Sequence, residues 1–306
     1  MRVAPCAPMT PPRCILPGTT YLITRRCSER RFFLRPSSAT NELFAFILAA
    51  AAARFGVLLH AFCVLSNHYH LVLTDVRGTL PEFERLLDSL VARAVNATIG
   101  HREAFWDRES YSVIPLETTE DILAKIVYVL ANPVAAGLVR RGRDWPGLWS
   151  APQLLLAGPT PLARPGRFFR RSGPLPATAE LELHVPPGFE NGTTFVDLVE
   201  RALRDEEVSL AASHGRAGRG FLGAARALAE AWWKHPARPE PLGKPNPRVT
   251  GKNAWIRLEA LAHMRAFRKA YGEALAAWRR GDRDVVFPAG TWAMRIHHGA
   301  CCAAAA

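Results

Sequence analysis

The sequence lacks cysteines at the spacing of a metal or redox site. Its six cysteines form no Cys-x-x-Cys pair, and they are Cys6, Cys14, Cys27, Cys63, Cys301 and Cys302. This spacing indicates neither a zinc knuckle nor a disulfide framework. We therefore expect reduced thiols and a cytoplasmic protein.

Long apolar runs are also scarce. The most apolar segment, Leu43–Ala53, is rich in alanine, is followed by Arg54 and is too short to cross a bilayer. Residues 1–20 contain proline and cysteine but no continuous apolar core, so we expect no secretory signal. The sequence predicts no membrane partner.

Acidic residues are outnumbered. The chain has 39 Lys and Arg against 27 Asp and Glu, a net charge of +12 and a pI of about 10.0. Such an excess favours a polyanionic partner, and arginine suits phosphate because its planar fork donates two hydrogen bonds at once. Nucleic acid is the first expectation. The 306 residues allow one large domain or two ordinary ones.

Hydrophobic periodicity predicts the order β-α-β-β-α-β-α in the first half. The predicted strands and helices are Thr19–Thr24, Ser38–Arg54, Val57–Leu65, His68–Asp75, Pro81–Ile99, Ser110–Pro115 and Glu120–Ala131. Pro133 is expected to end the last helix, because proline disfavours helical geometry in the preceding residue. The first six elements predict an α+β fold: a ferredoxin-like split β-α-β antiparallel sheet with strands one and three central and two helices on one face. A mainly helical extension follows.

Two histidines begin the third predicted strand. His68 and His70 would point to one face of the sheet and Tyr69 to the other, because side chains alternate along a strand. Two convergent imidazoles make half of a metal site. The alternative is a pair of surface or capped histidines at a turn. On the neighbouring strand, we expect His60 to be a core or edge histidine with satisfied hydrogen bonds.

A tyrosine and an asparagine lie four residues apart on the third predicted helix. Tyr128 and Asn132 would therefore share one helical face. A tyrosine can act as a nucleophile only when its hydroxyl is activated, since its free pKa is about 10. The alternative is that Tyr128 is a core aromatic residue.

The two patterns together resemble a known family. His68-Tyr69-His70, within Ser-Asn-His-Tyr-His-Leu-Val-Leu, is similar to the His-hydrophobic-His signature of the HUH single-tyrosine transposases. The run Tyr-Val-Leu-Ala-Asn-Pro-Val-Ala-Ala-Gly-Leu-Val from Tyr128 to Val139 resembles a block typical of their REP-associated tyrosine transposase group. The resemblance covers about residues 17–150.

The resemblance implies a site and a reaction. His68 and His70 would bind one Mg²⁺ or Mn²⁺, and Asn132 stands where some relatives supply a third ligand. Tyr128 would attack a phosphodiester in single-stranded or hairpin DNA, leaving a 5′-phosphotyrosine link and a free 3′-hydroxyl. Some relatives are monomers and others are dimers that exchange tyrosine helices, so a homodimer stays open.

Basic segments add candidate DNA contacts. One follows the first strand, and another interleaves arginine with phenylalanine in the second half, a mixture that suits single-stranded nucleic acid. The candidates are Arg25, Arg26, Arg30, Arg31, Arg167, Arg170 and Arg171. The alternatives are a solvated loop for the first segment and a linker for the second.

Composition divides the chain into four parts. We expect an irregular arm over 1–16, the catalytic domain over 17–150, a Pro/Gly/Arg-rich linker over 151–190 and a helical accessory domain over 191–306 that helps to bind DNA. Helices predicted over Phe195–Arg204 and Leu222–Trp233 allow a helix-turn-helix. The pairs His297-His298 and Cys301-Cys302 allow a metal site near residue 306.

Two other functions stay open beside a transposase. One is a non-catalytic nucleic-acid-binding protein with the same sheet, although strands one and three lack evident stacking aromatics. The other is a metal-dependent hydrolase, which would release free products without a protein–DNA adduct.

Overall fold

The chain is described here by a computed structural model covering residues 12–108, 111–170, 172–237, 249 and 253–305. Its first half follows the predicted element order. The elements are β1 (Thr19–Arg26), α1 (Ser38–Phe55), β2 (Val57–Leu65), β3 (His68–Asp75), α2 (Leu80–Ile99), β4 (Ser112–Pro115) and α3 (Thr119–Ala135), with a short 3-10 turn at Ser28–Arg30. Two expectations fall partly outside the described residues: the start of the fourth strand at Ser110 and most of the arm over 1–16.

The four strands form one antiparallel sheet in the order β2-β3-β1-β4. The predicted mixed fold is confirmed, and β1 and β3 are the central strands. In their register His70 lies opposite Thr24, and His68 lies opposite Arg26. Alternation along the strands then assigns these four residues to one face of the sheet.

The helices cover both faces of the sheet. On the Tyr69 face, α1 and α2 pack together, and the Tyr69 ring meets Phe44 of α1 at a centroid distance of 5.3 Å. On the histidine face, α3 packs against β2 and β3. The sheet therefore separates a buried structural layer from the side that carries the two histidines.

Helix α3 continues through Pro133 to Ala135, so the predicted end at Ala131 is wrong. Pro133 lies in the last turn, where its missing N–H removes only one bond, and the Ala136 N–H still donates to the Asn132 carbonyl. The Trp149 indole N–H donates to the Leu130 carbonyl at 2.9 Å. These contacts keep Asn132 helical and on the same face as Tyr128.

The second half packs onto the first. It contains a hairpin of β5 (Thr160–Ala163) and β6 (Thr178–Leu181), then α4 (Gly192–Arg216), α5 (Ala224–Ala229), α6 (Ala254–Arg279) and α7 (Ala293–His298). The hairpin lies within the expected linker and contacts α1, while α4 packs along α3. The domain boundaries themselves stay a prediction.

The predicted helix pair of the extension differs from expectation. Helix α4 is far longer than Phe195–Arg204, because its Asn191 cap precedes the predicted start and the helix runs on to Arg216. Helix α5 spans only Ala224–Ala229, and its Ala227 is buried in the core. So short a second helix does not match the recognition helix of a helix-turn-helix.

Within the described parts of the chain, no helix is both long and apolar enough to span a membrane.

A buried acidic cluster lies under the Tyr69 face. The Tyr69 hydroxyl is 2.9 Å from Glu84 Oε2 and 2.8 Å from Asp88 Oδ1, and Arg25 Nε lies 3.1 Å from Asp88. Burial, with the nearby Asp88 charge, raises the pKa of Glu84 well above its usual value. Burial also raises the pKa of Asp88 to about 6, against the lowering effect of Arg25. Because one hydroxyl proton serves one acceptor, a protonated Glu84 completes the network by donating to Tyr69.

We expect Glu84→Gln to stabilise the protein at neutral pH but not at low pH. A carboxyl whose pKa is raised by folding stabilises the fold fully below its unfolded pKa, here about 4.5, and this contribution is lost as pH rises through the folded pKa. The free energy of unfolding of the variant should therefore rise over that of the native protein by up to about 1.4 kcal/mol per pH unit in this window.

Urea unfolding between pH 4 and pH 8 measures the difference. Glu103→Gln makes the same substitution at an exposed position and serves as the control. Parallel profiles for Glu84→Gln and the native protein would show that Glu84 is ionised in the fold.

Candidate functional site

The central strand β3 brings the two histidines together. The His68 and His70 rings lie with centroids 4.8 Å apart at an interplanar angle of 86°. His70 is buried, while His68 is half-buried. The predicted convergence on one face therefore holds, and the pair is built into the sheet rather than exposed on a turn.

Each histidine is oriented through its Nδ1 atom. His70 Nδ1 shares a hydrogen bond of 2.7 Å with Thr24 Oγ1, and His68 Nδ1 lies 2.7 Å from Asn67 Oδ1. The Asn67 amide also donates to the Arg30 carbonyl at 3.2 Å, so its oxygen is left to accept from His68. Metal-binding histidines are typically held in this way through the nitrogen that does not bind the metal.

The Nε2 atom of His70 is buried and has no hydrogen-bond partner within the part of the chain that the structure describes. His60 provides the contrast, because its Nδ1 donates to the His184 carbonyl and its Nε2 bonds to Thr74, both at 2.7 Å. The prediction that His60 is a satisfied core histidine is confirmed. A buried polar atom without a partner costs about 1–3 kcal/mol, so the His70 nitrogen is a candidate ligand atom.

Both site histidines are held neutral. Burial lowers the pKa of His68 to about 4, with the Arg26 charge adding to this effect and the Asn132 side chain, as a hydrogen-bond acceptor, opposing it. Burial, the neighbouring His68 and Arg26 also lower the pKa of His70 well below its usual value. The neutral imidazole is the form that binds metals.

Helix α3 adds two side chains to the same face. Asn132 is buried and lies close enough to His68 to raise the pKa of its imidazole. The Tyr128 ring lies 5.3 Å from the His70 ring, and 43% of Tyr128 is exposed, which is not the position of a core aromatic residue. Lys125 Nζ lies 5.4 Å from the Tyr128 ring centroid. The structure thus brings Tyr128, Asn132 and the two histidines into one constellation.

The predicted arginines separate into two groups around the sheet. Arg26 lies opposite His68 in the register, and the Arg26 and Arg30 charges both lower the pKa of His68. Arg25 is not brought to this site, because it is on the Tyr69 face and contacts Asp88. Arg31 is engaged by Glu29 at 2.6 Å.

The remaining predicted arginines lie elsewhere. Arg167 and Arg170 lie near α2, on the other side of the sheet from the histidines. Arg171 falls outside the described residues.

The loop after β1 is backbone-strained. Glu29 and Arg30 both have left-handed backbone angles, with φ of 53° and 57°. Such conformations are uncommon for residues other than glycine and persist where surrounding contacts impose them. Here the strained turn presents the Arg30 carbonyl to Asn67, which in turn orients His68.

Other metal patterns are not found. Among residues 12–108, 111–170, 172–237, 249 and 253–305, no group of three or more His, Cys, Asp or Glu side chains could hold a metal ion. The suggested site at His297-His298 and Cys301-Cys302 is therefore not formed. Beside the His68–His70 pair, Asn132 offers an amide rather than a carboxylate.

Two positioning residues were missed from the sequence. Thr24 was predicted only as a strand residue, although aligning β1 against β3 places it opposite His70. Asn67 was predicted only as a turn residue, although it immediately precedes His68. Strand pairing would have identified Thr24, and the position directly before His68 would have identified Asn67.

Comparisons with known proteins find similar solved structures. No family model and no curated protein matches the chain. One similar structure is a REP-associated tyrosine transposase bound to a REP hairpin, with 19% identity and a TM-score of 0.38 over 44% of this chain and 78% of that one. Another, from Deinococcus radiodurans R1, is named as a transposase, with 23% identity and a TM-score of 0.29 over 40% of this chain and 97% of that one.

We expect His68 to stay neutral in the metal-free protein well below pH 6.5. Burial and Arg26 oppose its protonation, so its imidazole should titrate with a pKa of about 4. Long-range ¹H–¹⁵N spectra of histidine-labelled protein measure this, with His68→Gln used to assign the signal. A transition near the ordinary histidine value would contradict the described burial and charge environment.

Proposed function

We propose that the chain is a metal-dependent single-strand DNA transesterase of the transposase type, which cleaves and rejoins DNA through a phosphotyrosine. The observation that carries the proposal is the constellation on the histidine face of the sheet. There, the Tyr128 ring lies beside the His70 ring, and Asn132 lies next to His68. A nucleophile candidate next to three potential ligands is the arrangement that this chemistry needs.

The residues present fit a divalent cation. The unpartnered Nε2 of His70 and the neutral state of both imidazoles are what a metal ligand set requires. His68, His70 and Asn132 would hold Mg²⁺ or Mn²⁺. When bound, the cation would supply positive charge to offset that of the reacting phosphate.

Tyr128 would act as the nucleophile. Its oxygen forms the bond to phosphorus and the bond from phosphorus to the 3′-oxygen breaks. The phenolic proton passes to solvent, and the departing 3′-oxygen takes up a proton from solvent. The products are a 5′-phosphotyrosine and a free 3′-hydroxyl, so the phosphoester is conserved and attack by another 3′-hydroxyl rejoins the strand. The exposure of Tyr128 lets DNA approach it, and the Lys125 ammonium lies 5.4 Å from the centre of its ring.

The surrounding positive charge supports a DNA substrate. Arg26 and Arg30 act on the same face as the histidines, and both are close enough to lower the pKa of His68. Guanidinium groups at this position would attract and orient a phosphate. A single strand or hairpin is proposed because the sequence resembles the HUH single-tyrosine transposases, and the resemblance implies such a substrate.

Tyr128→Phe should abolish the covalent protein–DNA adduct while leaving fold and DNA affinity intact. Phenylalanine keeps the ring beside His70 but removes the attacking oxygen. The measurement is denaturing electrophoresis after incubation of labelled single-stranded and hairpin DNA with Mn²⁺. Tyr271→Phe on α6 is the matched control and should form the adduct normally. An adduct with Tyr128→Phe would remove Tyr128 from its proposed role, and salt-dependent binding without any adduct in the native chain would favour a non-catalytic protein.

His70→Gln should remove most Mn²⁺ binding, because it replaces a buried imidazole ligand. Thr24→Val should weaken binding by about 10- to 100-fold, because it removes the bond that orients His70 while keeping the side-chain shape. Free Mn²⁺ measured by electron paramagnetic resonance reports both effects. The exposed His263→Gln serves as control. Unchanged affinity in His70→Gln would mean that the pair does not hold the cation.

A further inference from the structure

A second concave site lies on the other side of the sheet from the histidines. It is a groove of about 710 Å³ between α2 and residues 164–170 and 173–175, which lie in the segment between β5 and β6. We refer to it as the arginine groove, because its lining includes Arg54, Arg93, Arg164, Arg167 and Arg170. No Asp or Glu belongs to that lining among the described residues.

The groove is held by the fold and is not formed by chance contacts of a loose loop. The Phe169 ring packs against Phe46 of α1 at 6.0 Å, which fixes one side of the segment. The Arg164 guanidinium donates to the carbonyls of Gly173 and Leu175, which closes the segment on itself. Arg167 and Arg170 are exposed on this support.

The positive charge of the groove favours binding of an anion. Within the described part of the chain, Arg167 and Arg170 form no ion pair with a carboxylate. Arg54 and Arg93 face the same space from α1 and α2, and their nearest described contacts are the Phe55 ring and the Ser89 carbonyl. Cations that converge without acidic partners repel one another, and a polyanion in the groove removes that repulsion.

The apolar part of the lining selects among polyanions. Leu86, Leu90 and the half-buried Phe168 line the same groove as the arginines. A duplex keeps its bases stacked inside and offers this surface only phosphate and sugar. A single strand can place phosphates on arginine and an unstacked base on an aromatic ring at once.

We propose that the arginine groove binds a segment of single-stranded nucleic acid, with phosphates on Arg54, Arg93, Arg167 and Arg170 and a base against Phe168. The groove shares no residue with the histidine site, so the proposal goes beyond the transesterase reaction and does not depend on it. A chain without that activity would still bind the strand here.

The test measures binding of a fluorescent oligothymidine by anisotropy across a salt series, with EDTA present so that no strand is cut. Arg167→Gln combined with Arg170→Gln should weaken binding at least about tenfold. It should also lower the slope of log K against log salt by about 1.4, since each phosphate contact on a single strand contributes about 0.7. Arg85→Gln combined with Arg102→Gln removes the same charge from exposed positions outside the groove and should leave that slope nearly unchanged.

A second variant tests the stacking contact. Phe168→Leu keeps an apolar side chain but removes the ring, and should weaken binding about fivefold or more without changing the salt slope. A duplex of equal length should compete less well than the single strand. The proposal is overturned if the double arginine variant behaves like its control, or if duplex competes equally and Phe168→Leu binds normally. Adduct formation through Tyr128 is scored separately, so failure here is distinct from failure of the transesterase proposal.

Discussion

The pairing register of β1 with β3 is the constraint on which the candidate site depends. It sets Thr24 opposite His70 and Arg26 opposite His68, and so fixes both the orientation and the electrostatic environment of the imidazoles. A shift by one residue would turn every side chain of a strand to the other face. Contacts on the opposite face stabilise this register, because Tyr69 bonds to Glu84 and Asp88 there and Arg25 pairs with Asp88. The buried network around Tyr69 and the candidate histidine site thus lie on opposite faces of the same strands.

Helix α3 is held from several directions, which explains why a proline does not end it. Its last turns contact the Trp149 indole on one side and α4 on the other, where His214 bonds to the carbonyls of Val134 and Ala135. The segment after α3 is held too, because the Leu222 and Gly223 N–H groups donate to the carbonyls of Gly137 and Leu138. The second half of the chain therefore supports the helix that carries Tyr128 and Asn132 against its own sheet.

Local patterns were enough to predict the sheet but not its surroundings. The bounds of β2 followed from its apolar run between Gly56 and the Ser66-Asn67 turn, and β3 starts directly after that turn. Strand β1 was predicted to stop at Thr24, because the basic residues after it resembled a loop. Arg25 and Arg26 are in fact strand residues that pair with β3. Continuing the alternation along β1 would have put Arg25 on the face of Tyr69. The hairpin β5–β6 could not be foreseen, since its short strands are stabilised by packing on α1 rather than by their own composition.

The two faces of the sheet have opposite effects on proton binding by the folded chain. On one face, Glu84 and Asp88 favour binding protons in the folded chain, and on the other His68 and His70 disfavour it. As the pH falls from about 6.5 to about 4, the histidines lower the free energy of unfolding, because their imidazoles bind protons in the unfolded chain but not in the folded one. Over much of the same range the carboxyls gain it, so the two contributions oppose each other. The net proton uptake on unfolding is thereby reduced, so the free energy of unfolding changes less in mild acid than either pair of residues alone would cause.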